Sequence, residues 1–541
     1  MVAGLGAGLG LGLQTGSAAT AAAENVTVVY VPRPCDLGGP WRKVGEDLTQ
    51  VNATSRLQRP TFVSTVSRSL GVSLSLSDDG TVLSVASRFS DGVSVFRRMT
   101  TSSPDTTVEE TAEDATNSSA TNNGTSTSSQ SERWVQLGAD IVEGPPPEFR
   151  REDDFYRTIG STVLSGDGRR VVAGFPHYTD DDFRWRGLVG VYEWIEEERD
   201  SDDYGGGNDD DDGAVSVVGG EWRAMGGDSG FFLGGRSNSN LGHKGTFDVS
   251  YDGSVVAIGD PRHDGNTGRV RAFRYDSQNN TWSQIGDDIN GTNARDRFGW
   301  AVSLSSDGTS LAVGTSHANG GEGLVQVFRY TEEDGSGSGG GGNWTQVGNT
   351  LRGGPQTDSC RLGETLKLSS NATRFAVWSS NPLEAGGSNV VPCSEWVDSE
   401  ASDDDRGQVR VYELVVGGGD GNGDDEEEEE WVQTGPGFVG DRGGEDFGVD
   451  LDLSGDGRTL SIGVSGGDRN GPESGHVVTY HEEQSDDDDD EPRGGGGNWT
   501  RAGDDDERRG GGGNWTRVGD DVNGTAGQMW LREGGSPPYH R

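Results

Sequence analysis

Short runs of alternating apolar and polar residues dominate the chain, as in Val302-Ser303-Leu304-Ser305 and Val270-Arg271-Ala272. A period of two puts every second side chain on one face, so these runs predict half-buried β-strands, and helical periodicity is nearly absent. Each first run ends in Ser and meets an Asp-Gly pair, after which a small apolar run follows, such as Leu311-Ala312-Val313-Gly314. Asp-Gly between two strands predicts a two-residue hairpin turn, with Gly supplying the positive φ. The corners are Asp79-Gly80, Asp167-Gly168, Asp252-Gly253, Asp307-Gly308 and Asp456-Gly457, with Asn371-Ala372 in the remaining copy. A variable loop leads to Gly and a third strand ending in an aromatic: Phe96, Tyr192, Phe273, Phe328, Tyr412 or Tyr480. A tryptophan phrase then begins at Trp41, Trp134, Trp222, Trp282, Trp344, Trp431 and Trp515, with a tandem duplicate at Trp499. It predicts a fourth, outermost strand whose ring covers the edge of the unit.

Six complete copies of this unit, the closest pair 55 residues apart between Gly253 and Gly308, predict an all-β fold. Four short antiparallel strands repeated in this way form the blades of a β-propeller, where radial repetition protects the sheet edges. Val26 to Tyr30 followed by Trp41 reads as part of a further blade, and Asn523 to Leu531 reads as the chain returning into it. Seven blades closed by both termini are therefore expected, with six as the alternative. Residues 1–24 form a leader, 25–531 the propeller and 532–541 a tail.

The phrases W-x-Q-x-G-x-D-I, V-x-L-S-x-D-G and G-x-V-x-V-Y, with Asp296-Arg297-Phe298-Gly299 and Asp446-Phe447-Gly448, carry a family likeness. The chain resembles, over about residues 26–531, the FG-GAP-like propeller repeats of integrin α-type domains and related algal and bacterial surface proteins. That resemblance implies the propeller fold and raises calcium as a cofactor. Only Asp260, Asp264 and Asn266 offer several oxygens within one loop, short of the six to eight that Ca²⁺ takes, so calcium is a weak candidate and no other cofactor is expected.

Charge narrows the partners. Lys+Arg 44 against Asp+Glu 90 gives a net charge of -46, which repels nucleic-acid phosphates. No apolar run is long enough to span a bilayer as a helix. Low-complexity insertions at 99–131, 196–213, 331–342, 413–430 and 481–513 all fall between a third strand and the tryptophan strand. They therefore emerge on the same face as the Asp-Gly corners. The opposite face is built by loops that differ between copies, among them Phe175-Pro176-His177-Tyr178, Asp260-Pro261-Arg262-His263-Asp264 and Asn381 through Cys393. Variable loops on a repeated frame fit recognition.

The leader, apolar from Val2 to Leu13 and ending Ala21-Ala22-Ala23, resembles a secretory signal peptide. Glycosylation sequons stand at Asn25, Asn52, Asn117, Asn123, Asn279, Asn290, Asn343, Asn371, Asn498, Asn514 and Asn523, 11 of the 24 asparagines, which favours export. Of three cysteines, Cys360 and Cys393 fall within one repeat and could pair, with three free thiols the alternative. No metalloprotease or serine-hydrolase motif is present, and the Asp-Gly corners lack the spacing of a sialidase Asp box. The expectation is a monomeric, non-enzymatic, secreted or surface-displayed module that binds a protein or glycan. The alternatives are a glycan-acting hydrolase with carboxylates at the central channel and an intracellular scaffold.

Overall fold

In a computed structural model of the chain, the strands assemble into six blades. The structure describes residues 70–87, 92–102, 130–141, 161–176, 178, 186–197, 219–235, 239, 241–332, 341–353, 360–380, 407–417, 428–440, 446–465, 475–483 and 514–517. It also describes the backbone of short strand pieces within 25–49, at 390–391 and at 522–523. Blade one comprises Leu70–Leu76, Val82–Ser87, Val93–Ser102 and Gln130–Gln136. Blade two comprises Ser161–Leu164, Arg170–Phe175, Leu188–Glu196 and Gly220–Ala224. Phe247–Val249, Val255–Asp260, Arg269–Asp276 and Thr281–Asn290 make blade three. Ala301–Leu304, Ser310–Thr315, Leu324–Thr331 and Asn343–Gly353 make blade four. Blade five holds Leu366–Leu368, Arg374–Ser379, Gln408–Val416 and Glu429–Val439, and blade six Phe447–Leu453, Thr459–Val464, His476–Glu483 and Asn514–Arg517. Within each blade these four strands pair antiparallel in chain order. The chain is a β-propeller.

The Ser-x-Asp-Gly corner has a different geometry from the one its sequence predicts. Ser77 N–H donates to Val82 O (2.9 Å) and Gly80 N–H to Ser77 O (2.8 Å), so the hairpin closes around four residues. Gly80 sits at φ 68, as do its counterparts Gly168, Gly253, Gly308 and Gly457 near 70, but no corner Asp has a positive φ. A two-residue type I′ turn would need positive φ at both positions. Here Asp instead closes the loop with its side chain: Ser77 Oγ donates to Asp79 Oδ1 (2.6 Å), Thr81 N–H donates to the same oxygen (2.9 Å), and Val82 N–H donates to Ser77 Oγ (2.9 Å). The same set recurs at Ser165/Asp167, Ser250/Asp252, Ser305/Asp307, Ser369/Asn371 and Ser454/Asp456. Burial alone would raise the carboxyls of Asp79, Asp252, Asp307 and Asp456, but these donated bonds more than offset it and hold them below the ordinary 3.8.

The backbone at and just before this corner residue then stitches blade to blade. Asp78 N–H donates to Gly166 O (2.9 Å), Asp167 N–H to Tyr251 O (3.0 Å), Tyr251 N–H to Ser306 O (2.8 Å), Ser306 N–H to Ser370 O (3.0 Å) and Asn371 N–H to Gly455 O (3.4 Å). One backbone bond thus crosses each of the five junctions from blade one to blade six.

On the opposite face, Phe298 and Leu362 turn back onto the preceding blade, donating N–H to Thr267 O (3.0 Å) and Glu322 O (3.2 Å). This close approach excludes a side chain at Gly268, whose Cβ would meet Phe298 O at 2.2 Å. The tryptophan strand locks the rim in the same way, across the junction rather than over its own blade's edge. Trp344 Nε1 donates to Ile285 O of the preceding blade (3.0 Å), and its ring lies where a Cβ on Gly286 would come within 2.6 Å. Trp431 repeats this with Val347 O (3.0 Å) and Gly348. The core accordingly lies between blades: Val255, Val270 and Ile285 of blade three pack with Val302, Leu311, Phe328 and Trp344 of blade four.

Several expectations are corrected. The described residues form six blades, the alternative, and not seven. The last tryptophan strand, Asn514–Arg517, and Val522–Asn523 both pair with the third strand of blade six, so Asn523, where the return into a further blade was expected to begin, belongs to this one, and 524–531 lie outside the described residues. The pieces Asn25–Val26, Val29–Tyr30, Arg42–Lys43 and Leu48–Thr49 pair only among themselves. The duplicate phrase at Trp499 lies outside the described residues, as do the middles of all five insertions. The insertions join third to fourth strands as expected, but strand pairing extends into residues assigned to them, as at Leu414 opposite Trp431 and Thr100 opposite Glu132.

The degenerate corner supplies a test. Ala372 holds φ 56, where the other copies carry Gly, and a left-handed residue with a Cβ costs about 1–2 kcal/mol. Ala372→Gly is expected to stabilise the protein by roughly 0.5–1 kcal/mol after the added chain entropy of Gly, read as a higher midpoint in denaturant unfolding.

Candidate functional site

Four loops meet on the face opposite the insertions, at the junction of blades three, four and five. They enclose a cavity of about 500 Å³ lined by Asn266, Arg295, Asp296, Arg297, His317 and Arg361, among others. The frame determines much of its backbone. The residue before each inter-blade Phe-Gly or Leu-Gly takes a left-handed conformation: Arg297 at φ 59, Arg361 at φ 54 and Asp446 at φ 49. Arg295 adds φ 75 and Asn266 φ 67. Gly, Asn and Asp are the residues that tolerate this region, yet the two framework positions facing the cavity carry Arg.

Neighbouring contacts settle which groups are already engaged. Arg361 pairs with Glu364 (3.2 Å). Asp296 is buried and accepts from the Asn293 amide (3.0 Å). Among the described residues no carboxylate lies within ion-pair distance of Arg295 or Arg297. Arg297 is half-buried against the ring of Trp300, 5.4 Å from its centroid. Burial, then repulsion from Arg262 and Arg361, push the Arg297 guanidinium below its ordinary value. The His317 imidazole stacks at 5.3 Å from Trp300 and takes a hydrogen bond with Ser316 Oγ (2.9 Å). Burial and the charges of Arg297 and Arg361 push it down to about 4, so it is neutral at physiological pH.

A second cluster lines the central channel, two residues before the corner Ser of each blade. Ser75, Asp248 and Ser303 there accept the N–H of Leu164 (2.8 Å), Leu304 (2.9 Å) and Leu368 (3.1 Å) on the next blade. Blade five places Lys367 at this position and blade six Asp452. Lys367 Nζ reaches Asp248 Oδ2 (3.3 Å), and Lys244 Nζ reaches Asp450 Oδ2 (2.9 Å). Burial would lower Lys367, but Asp248, Asp452 and Asp78 raise it above its ordinary value. Burial raises Asp452 to about 6 despite Lys367. Asp248 and Asp450 are thus each held by a lysine.

The calcium candidates sit in different surroundings, with Asn266 on the cavity wall. Asp260 is buried, accepts from Ser239 Oγ (2.6 Å) and faces Arg269 (3.7 Å), while Asp264 is exposed. Among the described residues no group of three or more His, Cys, Asp or Glu side chains is arranged to hold a metal. Sequon residues Asn279, Asn290, Asn343 and Asn371 are exposed, whereas Asn52, Asn117, Asn123 and Asn498 lie outside the described residues, as do the side chains of Asn25, Asn514 and Asn523. Cys360 is buried and disulfide-bonded, and Cys35 and Cys393 lie outside the described residues. Among the described residues no helix is long and apolar enough to cross a membrane.

No family model matches the chain, and no curated protein matches it. Solved structures with a likeness include the Pseudomonas aeruginosa periplasmic gluconolactonase, at 12% identity over 93% of this chain and 96% of that one, with a TM-score of 0.36. A putative 6-phosphogluconolactonase from Bacteroides fragilis is 11% identical over 93% and 95%, with a TM-score of 0.35. The β-propeller domain of the Trilobed protease from Pyrococcus furiosus is 10% identical over 60% and 69%, with a TM-score of 0.28. Likeness this distant says nothing about what the chain binds or converts.

The channel cluster gives a pH prediction. A carboxyl raised in the folded state contributes stability below its unfolded value near 3.8, and this is lost as pH rises through about 6. Asp452→Asn removes that loss, so the variant's thermal midpoint should exceed the wild type's at pH 8 by more than at pH 4. Equal differences at both pH values would refute the assignment.

Proposed function

We propose that this chain is a non-enzymatic recognition module, exported to the cell surface or beyond, that holds a protein or glycan through the loop face opposite the acidic insertions. The cavity at blades three to five carries the reading: a concave site with a half-buried cation, built from loops on a rigid frame. The alternative hydrolase at the channel is less favoured, because Asp248 and Asp450 there are taken by Lys367 and Lys244. We place the chain with the FG-GAP-like repeat proteins, on the Phe298-Gly299 and Phe447-Gly448 turns that join neighbouring blades. Export is supported by the disulfide at Cys360 and by exposed sequon residues such as Asn279 and Asn343.

Two measurements test this. The full chain should bind at least one component of an array of immobilised glycans and surface proteins without altering it. Trp300→Ala should weaken that binding at least tenfold, and Tyr251→Ala, on the corner face, should leave it unchanged. The reverse pattern, or turnover of the ligand, would reject the reading. Protein from its native source should lose mass on enzymatic removal of N-glycans and lack about the first 23 residues, as a cleaved signal peptide requires.

A further inference from the structure

We infer that the cavity at blades three to five takes the oxyanion of an acidic sugar, its carboxylate or sulfate held by Arg295 and Arg297. This rests on the recognition reading and adds the chemistry of the ligand.

The first support is an electrostatic deficit. In a chain of net charge -46, Arg295, Arg297 and Arg361 line one cavity whose only lining carboxylate among the described residues is Asp296. That carboxylate is held by Asn293, and Arg361 is held by Glu364, so among the described residues two guanidinium groups remain without a carboxylate at ion-pair distance. A cation half-buried among other cations is unfavourable until an anion arrives, and a guanidinium fork matches the two oxygens of a carboxylate or sulfate.

The second support is backbone strain. Arg295 and Arg297 hold φ 75 and φ 59, which cost an L-residue with a Cβ about 1–2 kcal/mol each. Blade six meets the same framework requirement with Asp446, a residue suited to it, so the fold does not require Arg. Strain of this kind is retained where the side chain is used.

The third support is the company the arginines keep. Neutral His317 with Ser316, both lining the cavity, offers hydrogen bonding to hydroxyls, and the Trp300 ring packs against Arg297 and His317. A hydroxyl partner and a cation fork together match a sugar bearing one oxyanion. The volume of about 500 Å³ falls in the range of roughly 300–1,000 Å³ typical of small-ligand sites. A long polyanion would be repelled by the rest of the chain.

The test is calorimetric titration of the full chain with trigalacturonic acid, its methyl ester, a sulfated chondroitin disaccharide and inorganic sulfate. Binding of either acidic saccharide, at least tenfold tighter than the ester and than inorganic sulfate, is expected, and the tighter of the two identifies carboxylate or sulfate as the natural group. Arg295→Asn and Arg297→Asn should each weaken it at least tenfold while leaving the thermal midpoint unchanged or higher, because Asn accepts a left-handed backbone. Equal affinity for acid and ester would overturn the proposal while the recognition reading stands. No saccharide binding, or sulfate bound as tightly as the saccharides, would also overturn it. The array result judges the broader reading separately.

Discussion

From blade one to blade five, no blade of this propeller closes its own edge; each is finished by the next. The Ser-x-Asp-Gly corner shows how directly sequence produces that dependence. Its Ser and Asp use their side chains to satisfy the loop's own N–H groups, which frees the backbone beside Asp to reach across the junction. Buried backbone groups must find partners, and here the available partner is always a neighbour. The Phe-Gly turn and the Trp/Gly rim add two further contacts of the same kind at larger radius. Stability is then carried largely by interfaces, and the hydrophobic clusters straddle blades rather than filling them.

Strands, corners and the face taken by the insertions were legible in the sequence because each is set locally, by a period of two and by turn chemistry. The corner's detailed geometry was less so: Asp-Gly alone does not distinguish a two-residue turn from a longer loop, and the deciding signal was the Ser two positions before Asp. The glycine four residues after each Trp was visible as part of a phrase, but its reason lies in the next blade, where Trp344 lies over Gly286. The number of blades depends on a long-range competition. Val522–Asn523 could have opened a further blade and instead pairs with His476–Glu483, an outcome that alternation within the segment does not encode.

The cavity was illegible for a similar reason. Asn266, Arg297, His317 and Arg361 come from four loops and converge only once three blades are aligned. Within the sequence, Asp296-Arg297-Phe298-Gly299 reads as a mark of the fold, and so the Arg in it draws no attention. A signal was nonetheless present: the framework position that carries Asp446 in blade six carries Arg297 and Arg361 in blades four and five. A change of charge at a repeated position is informative because the backbone requirement there is constant.

That constancy also explains how an acidic protein can present a basic site. At physiological salt, charges farther apart than about 8 Å are largely screened, so the insertions on one face do little to neutralise arginines on the other. The cavity's own neighbours set its potential, and these are Arg262, Arg297 and Arg361 against Glu364. The repeated frame keeps those loops apart from the insertions by topology: hairpins joining third to fourth strands emerge on one face, and loops joining second to third strands or successive blades emerge on the other. Growth of acidic sequence between third and fourth strands can therefore proceed without touching the cavity, which leaves net charge a poor guide to what this propeller binds.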